Sequence, residues 1–309
     1  MSFSNQVKDE LAHQWPGRRC CRVAELSAMI RMDGSLHLLG GDRYALHLST
    51  DNAAVARAGL RLLGDLYGLT GKVTVRRSKL SKANNYLVYV DWQPRLGQAL
   101  NELGILDDSL NLRQDVPGRL VRQGCCAVSY LRGLFLGGGF ISNPKGQYHL
   151  ELLTDNYMLV ETIGRLLARF NIKSGSAERR GYHTIYIKQA QAIVDFLALI
   201  GAYSALLAWE DARILKSVRE SVNRLVNCDT ANLNKAVKAA LEQLSDIAKI
   251  ENHMGIAHLP IALREMARAR LADPQASIKE LGEACRPALT KSAAYHRVRR
   301  LRAAAAGLK

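Results

Sequence analysis

Two stretches decide the fold: Leu26-Ser27-Ala28-Met29-Ile30-Arg31-Met32-Asp33-Gly34 and, 105 positions further on, Leu131-Arg132-Gly133-Leu134-Phe135-Leu136-Gly137-Gly138-Gly139. Both are apolar segments that run into glycine, the residue that commonly ends a helix. A cysteine pair precedes each at the same offset, so that Cys20-Cys21-Arg22-Val23-Ala24-Glu25-Leu26 returns as Cys125-Cys126-Ala127-Val128-Ser129-Tyr130-Leu131. Further on, Thr50-Asp51-Asn52 returns as Thr154-Asp155-Asn156, and each triplet opens an apolar-periodic stretch that its Asp or Thr is able to cap. The chain contains an internal duplication.

Working outward, the first copy reads as a helix to Asp33, then a hairpin over 35–39 and 44–49 that turns through Gly40-Gly41-Asp42. A helix over 53–67 follows, then alternating strands near 72–77 and 87–91, and a short helix over 96–103 that stops at Gly104. The second copy reads as a helix to Leu136, strands near 148–153, 176–179 and 184–187, and helices over 157–170 and 190–200. The pattern is αββαββα written twice, joined at Pro117-Gly118, and it implies two half-domains about a pseudo-two-fold axis.

The two glycine-ended helices resemble the LAGLIDADG motif of homing endonucleases. The resemblance implies that small residues, here Ala28 and Gly133, let the two helices pack closely. It also implies that an acid before the last glycine of each motif holds a divalent metal for phosphodiester cleavage. Asp33 supplies that acid in the first copy, but its counterpart is Gly138. One carboxylate does not rebuild a paired site, so Asp33 reads as vestigial, a helix-end residue, with no catalytic residue and no metal expected. Gly137-Gly138-Gly139 reads as close packing and a turn, because no strand-loop-helix with a Lys-Ser/Thr pair follows. Arg76, Arg77, Lys79 and Lys82 in the first copy, and Arg179, Arg180 and Lys188 in the second, form either a solvated basic face or one laid toward a DNA groove.

Beyond Tyr203 the strand signals stop. A connecting helix is expected over 209–226, with Ile214, Val218, Val222 and Leu225 on one side, then an interruption over 227–233. A further helix over 234–250 carries Val237, Leu241, Leu244 and Ile247, all read as core. After Pro260 come three helical segments of the size a helix-turn-helix needs, the first with Leu263, Met266 and Leu271. Ser277 with Glu280 forms a capping box, Arg286-Pro287-Ala288-Leu289 makes the turn, and Thr290 or Ser292 opens a last helix with Ala294, Val298 and Leu301 inward. The helix-turn-helix span therefore runs from Ser277 to Leu308.

From Arg286 to Lys309 there are seven Lys or Arg and no Asp or Glu. In such a motif the start of the second helix enters the major groove, so Lys291, Ser292, Tyr295 and His296 are the candidates for base edges. Arg297, Arg299, Arg300 and Arg302 are the candidates for phosphates. The whole chain agrees: 43 Lys and Arg against 28 Asp and Glu give a net charge of +15, which suits a polyanion. A basic helix end that merely complements its dipole, or lies on an anionic membrane, is the competing reading.

At 309 residues, 48% hydrophobic and 23% charged, the composition suits two or three globular units. The expected boundaries are 1–112 and 113–205 for the two motif-bearing halves, 206–223 for a linker helix and 224–309 for the helix-turn-helix domain. The start has no apolar run of a secretory signal, and no 18 consecutive apolar residues occur, so a cytoplasmic protein is expected. The six cysteines, none in a C-x-x-C arrangement, read as reduced thiols.

Taken together these features resemble the WhiA family. The resemblance is carried by Met1-Ser2-Phe3-Ser4 with Val7-Lys8, the cysteine pairs, and Leu131-Arg132-Gly133 with Phe135-Leu136. It continues through the run from Asn223-Arg224-Leu225 to Asn232-Leu233-Asn234, then Ser277 to Gly282 and Thr290-Lys291-Ser292 to His296-Arg297. The expected class is α+β, a duplicated αββαββα LAGLIDADG-like domain followed by an all-α helix-turn-helix domain. What the resemblance implies is sequence-specific binding to double-stranded promoter DNA near the nucleoid. It further implies control of division, chromosome segregation and sporulation genes, no cofactor and no membrane, with a WhiB-type iron-sulfur protein and RNA polymerase as partners. An active metal-dependent endonuclease and a non-DNA scaffold are the alternatives.

Overall fold

A computed structural model describes residues 2–41, 43–77, 84–179 and 181–308. Asp42, Lys79, Lys82, Arg180 and the side chain of Arg179 lie outside what it describes. The chain divides into two compact units, Met1–Lys216 and Ser217–Lys309.

The first unit holds α1 (Phe3–Ala12), α2 (Arg19–Asp33), β1 (Gly34–Gly40), β2 (Arg43–Thr50), α3 (Ala53–Tyr67), β3 (Lys72–Arg77), β4 (Asn84–Val90) and α4 (Leu96–Glu102). The series then repeats as α5 (Gly124–Gly138), β5 (Gly139–Ile141), β6 (Leu150–Thr154), α6 (Tyr157–Arg169), β7 (Gly175–Arg179), β8 (Tyr182–Ile187) and α7 (Ala190–Ile200). Each copy folds into a four-stranded antiparallel sheet with the same order, β1-β2-β4-β3 and β5-β6-β8-β7. The duplication read from the sequence is thus a duplication of topology.

Two elements had no sequence signal. Strand β5 is only three residues and starts on glycine, so it shows no alternation. Helix α1 lies in a stretch with few apolar residues, yet Ser2 caps it and its Val7 and Leu11 are fully buried. Ser4 Oγ accepts from the Ile141 N–H and donates to the Ile141 carbonyl, each at 2.8 Å, and so completes the hydrogen bonding of β5. The helix caps also differ from expectation: Asn52 and Asn156 cap α3 and α6, not the neighbouring Asp or Thr. Thr50 and Thr154 instead accept from the N–H of those asparagines. An Asn oxygen at the N-cap reaches the free N–H groups of the first turn, which the residues before it do not.

The motif helices α2 and α5 are apolar around most of their circumference, and every residue from Val23 to Ile30 is buried. Such a helix belongs inside a core. Their close contact depends on two glycines. A Cβ at Gly133 would stand 2.2 Å from the Glu25 carbonyl oxygen and 2.8 Å from Ala28 Cβ, and one at Gly137 would stand 2.7 Å from Met32 Cβ.

From Tyr203 onward, which takes in the end of the first unit and all of the second, the described elements are helical. Helix α8 runs without a break from Tyr203 to Met254, 52 residues, where an interruption over 227–233 was expected. The polar cluster there contains neither Gly nor Pro, and the first residue of that kind is Gly255, at φ 78°. Polar side chains of ordinary propensity do not stop a helix. The expected core positions Ile214, Val218, Val222, Leu225, Val237 and Leu241 are all exposed, whereas Ile247 and Ile250 join the core. That core also takes side chains from α9 (Ile261–Ala272), α10 (Ile278–Ala284) and α11 (Lys291–Ala306). Of the apolar residues noted in α9, Leu263 and Met266 are buried and Leu271 is exposed.

Candidate nucleic-acid interface and the ends of the motif helices

Helices α10 and α11 meet at Gly282, where a Cβ would lie 2.8 Å from the Leu289 carbonyl oxygen and 3.2 Å from Ala294 Cβ. The turn between them is held by the Leu289 N–H, which donates to the Gly282 carbonyl at 2.9 Å. Ser277 and Glu280 form the capping box, and Thr290, of the two candidates, caps α11. These local signals are short-range and carry over directly into structure.

Ala294, Leu301 and Ala305 define the inward face of α11. At 3.6 residues per turn, Ser292, His296, Arg299 and Ala303 fall on the opposite face, with Lys291, Tyr295 and Arg300 beside them. All seven are exposed, Tyr295 by 57%. Two of the expected phosphate ligands are engaged elsewhere. Arg297 is drawn back against α9, its Nη1 3.3 Å from both the Ala262 carbonyl and the Glu265 carboxylate. Arg302 pairs with Glu242 of α8 at 3.3 Å. Charge counting along the sequence does not see these partners, because Glu265 and Glu242 lie far away in the chain. Arg299 and Arg300 are exposed and belong to the free face.

The ends of the motif helices show why one acid is missing without a void. The position a Gly138 Cβ would take lies 2.6 Å from Met32 Cε and 3.4 Å from the Leu153 carbonyl oxygen, so the Met32 thioether fills the place of a second side chain. Burial pushes the Asp33 carboxyl up to about 6, Lys8 pulls it down, and Asp51 adds to the rise. Lys8 is itself nearly buried, with Nζ 3.9 Å from Asp51. Asp33 and its neighbour Asp51 share a buried ammonium, and a methionine methyl stands where the second motif acid would be, which does not fit a hard divalent cation that takes several oxygen ligands.

Asp33 makes a testable case for linkage. Its folded pKa is raised above the ordinary 3.8, so the associated stability is complete below that value and is lost as pH rises through about 6. Asp33→Asn is expected to stabilise the protein at pH 7 by up to about 3 kcal/mol, at about 1.4 kcal/mol per pKa unit. In urea titrations the advantage should shrink toward zero as pH is lowered to 4, and an advantage independent of pH would refute it.

On the sheets, β3 is exposed along its length and presents Lys72 and Arg76 on one side and Arg77 on the other. The face carrying Lys72 and Arg76 continues through Tyr89 and His47, whose rings are 4.5 Å apart. In the second copy Lys188 lies over Tyr186, its Nζ 4.4 Å from the ring centre, but Glu151 pairs with His149 at 2.9 Å on the matching surface. The two sheet faces are therefore unlike in charge.

The fold brings Cys20, Cys21, Cys125 and Cys126 together, a juxtaposition foreshadowed in the sequence only by the equal offset of the two cysteine pairs. Among the described residues no helix is long and apolar enough to cross a membrane.

Three family descriptions match the chain in order: the WhiA N-terminal LAGLIDADG-like domain at 19–106, the WhiA LAGLIDADG-like domain at 127–219 and the WhiA C-terminal HTH domain at 222–305. Fold and interface define a DNA-binding regulator whose helix-turn-helix follows a LAGLIDADG-like duplication. The "Probable cell division protein WhiA" of Desulfitobacterium hafniense (strain Y51) is 45% identical, over 97% of this chain and 94% of its own length. That of Heliobacterium modesticaldum is 44% identical, over 97% and 95%. The solved structure of full-length DUF199/WhiA from "Thermatoga maritima" superposes with a TM-score of 0.60 at 27% identity, covering 100% of this chain and 99% of that one. The chain belongs to the WhiA family.

Proposed function

We propose that the protein is a sequence-specific regulator of transcription that binds promoter DNA through residues 224–309 and does not cut it. The observation that carries this reading is the outward face of α11, basic and exposed, in a segment without any acid from Arg286 onward. Lys291, Ser292, Tyr295 and His296 read base edges. Arg299 and Arg300 neutralise phosphates, and Arg297 and Arg302 join them once they exchange Glu265 and Glu242 for phosphate. The regulated genes are those of division, chromosome segregation and sporulation, and the protein acts in the cytoplasm at the nucleoid. The front part, 1–112 and 113–205, serves protein contacts, with a WhiB-type iron-sulfur protein and RNA polymerase as partners, and 206–223 links it to the DNA-binding part.

Competition binding by the full chain tests the reading. Promoter duplex is expected to outcompete random duplex, and equal affinity for the two would refute sequence specificity. Arg299→Ala should weaken both duplexes alike and reduce the slope of log affinity against log salt by ~1, through one phosphate contact fewer. Ser292→Ala should instead change base preference, by about 1–3 kcal/mol at the contacted position. Plasmid cleavage in Mg²⁺ or Mn²⁺ that disappears in Asp33→Asn would overturn the non-nucleolytic part.

A further inference from the structure

The cysteine pairs that mark the repeat converge in space. Cys20 and Cys21 stand in the first turn of α2, Cys125 and Cys126 in the first turn of α5. Their four sulfurs all lie within 4.8 Å of one another, and none is in a disulfide. Cys21 and Cys126 are buried, Cys125 is half-buried and Cys20 is exposed, so the cluster is anchored in the core yet open to solvent on one side.

Its surroundings are mixed: hydrogen bonds from neighbouring thiols and Arg18 lower the Cys125 thiol, whereas burial pushes the Cys21 and Cys126 thiols up, so that a cation has to displace their protons. The N-cap residues Arg18 and Gln123 make no side-chain capping bond, so no capping side chain offsets the positive ends of the two helices. Helix N-termini and neighbouring cations are the settings that stabilise thiolates. Arg18 Nη1 lies 3.9 Å from Cys125 Sγ. Gln123 Oε1 accepts from Cys20, Cys125 and Cys126 at 3.9, 3.8 and 3.8 Å, one oxygen shared by three protonated thiols, and these contacts are given up when a cation takes the sulfurs.

We propose that Cys20, Cys21, Cys125 and Cys126 form a tetrathiolate site for one thiophilic divalent cation of the zinc class, which ties together the N-terminal ends of the two motif helices. Tetrahedral zinc with Zn–S bonds of about 2.3 Å places its sulfurs ~3.8 Å apart. Cys125 and Cys126 already stand at 4.0 Å, and the remaining pairs need to close by no more than about 1 Å. Each thiol yields its proton on binding, so four protons leave for one cation and affinity falls as pH is lowered. The net charge of −2 on the filled site is opposed by the two helix ends and Arg18. Because each copy contributes two ligands, the ion is a cross-link between the halves and stabilises only the assembled duplication.

The experiment uses full-length, tag-free protein, reduced, stripped with chelator and titrated with Co²⁺. The expected result is one cobalt per chain, with thiolate-to-cobalt charge transfer in the near ultraviolet and intense visible bands of a tetrahedral centre, erased by one equivalent of Zn²⁺. Cys20→Ser with Cys125→Ser, the two less buried positions, should lose that spectrum. Alkylation of the unaltered protein followed by mass spectrometry decides the matter even if the variant fails to fold. Cys20 and Cys125 should be protected by Zn²⁺ and released by chelator, while Cys228, exposed in the other unit, reacts equally in both states. A spectrum without thiolate charge transfer, or alkylation of Cys20 that ignores zinc, would overturn the proposal. So would a disulfide between the copies that forms in glutathione buffer in place of metal uptake.

Discussion

Gly133→Ala is expected to destabilise the front unit by about 3 kcal/mol, the upper end of the cost of overpacking, and Gly133→Val to keep it from folding. The added carbon would sit 2.2 Å from the Glu25 carbonyl oxygen, which is backbone and buried, so no flexible side chain can give way. Relief requires α2 and α5 to separate, which opens voids along the whole crossing where Ala28, Met29, Leu134 and Phe135 are now nearly or fully buried. Ala28→Gly in the same chain should rescue only partly, since it removes the contact at 2.8 Å and leaves the carbonyl. Gly17→Ala, with nothing within 4 Å of the new atom, is the control and should leave unfolding unchanged. Thermal unfolding followed by circular dichroism reads all four; a Gly133→Ala protein that melts with the parent would show that the helices are not in close contact.

Glu25→Ala should cost about 3–5 kcal/mol, the range for breaking a buried pair by removing one partner. Arg132 of α5 reaches across the crossing to Glu25 of α2, with Nε donating at 2.7 Å and Nη2 donating to the same oxygen. The two side chains are 11% and 3% exposed, so neither has water to fall back on. Burial pushes the Glu25 carboxyl up, to about 7, while the charge and donors of Arg132 oppose the shift. After the substitution Arg132 keeps only Gln14, at 3.5 Å, and an uncompensated guanidinium remains in the core. Replacing both, as Glu25→Leu with Arg132→Met, should recover most of the loss, because a well-packed apolar pair avoids desolvating two charges. A double variant no more stable than Glu25→Ala in urea unfolding would mean that the pair contributes through its charge and not through its packing.

Local signals were legible wherever the chain carries its own punctuation. The capping box at Ser277, the glycine ends of the motif helices and the strand at 72–77 each depend on neighbours within a few residues and appear in the structure, although β3 is exposed on both faces and its alternation separates no inside from outside. Legibility failed where the cause is remote. Strand β5 forms by pairing with β6, with Ser4 bonding Ile141 from more than a hundred residues away, and α1 buries Val7 and Leu11 against a core the N-terminal residues do not announce. In α8 the failure runs the other way: a polar cluster was read as a break, although nothing in it forbids helix, and the apolar positions on either side of it, from Ile214 to Leu225 and at Val237 and Leu241, are exposed, while only the end of the stripe at Ile247 reaches a core.

Residue order alone settled that the chain is a duplication with small residues at its helix crossing, that the second motif lacks its acid, and that a basic helix-turn-helix closes the molecule. All of these follow from spacing and residue type. Only the tertiary structure decided that Met32 fills the place of the missing acid, that Arg297 and Arg302 are held by carboxylates of their own unit, and that four cysteines from two copies share one point. Such contacts join residues up to about a hundred positions apart, and packing geometry, which the periodicity of a single segment does not encode, determines which side chains meet.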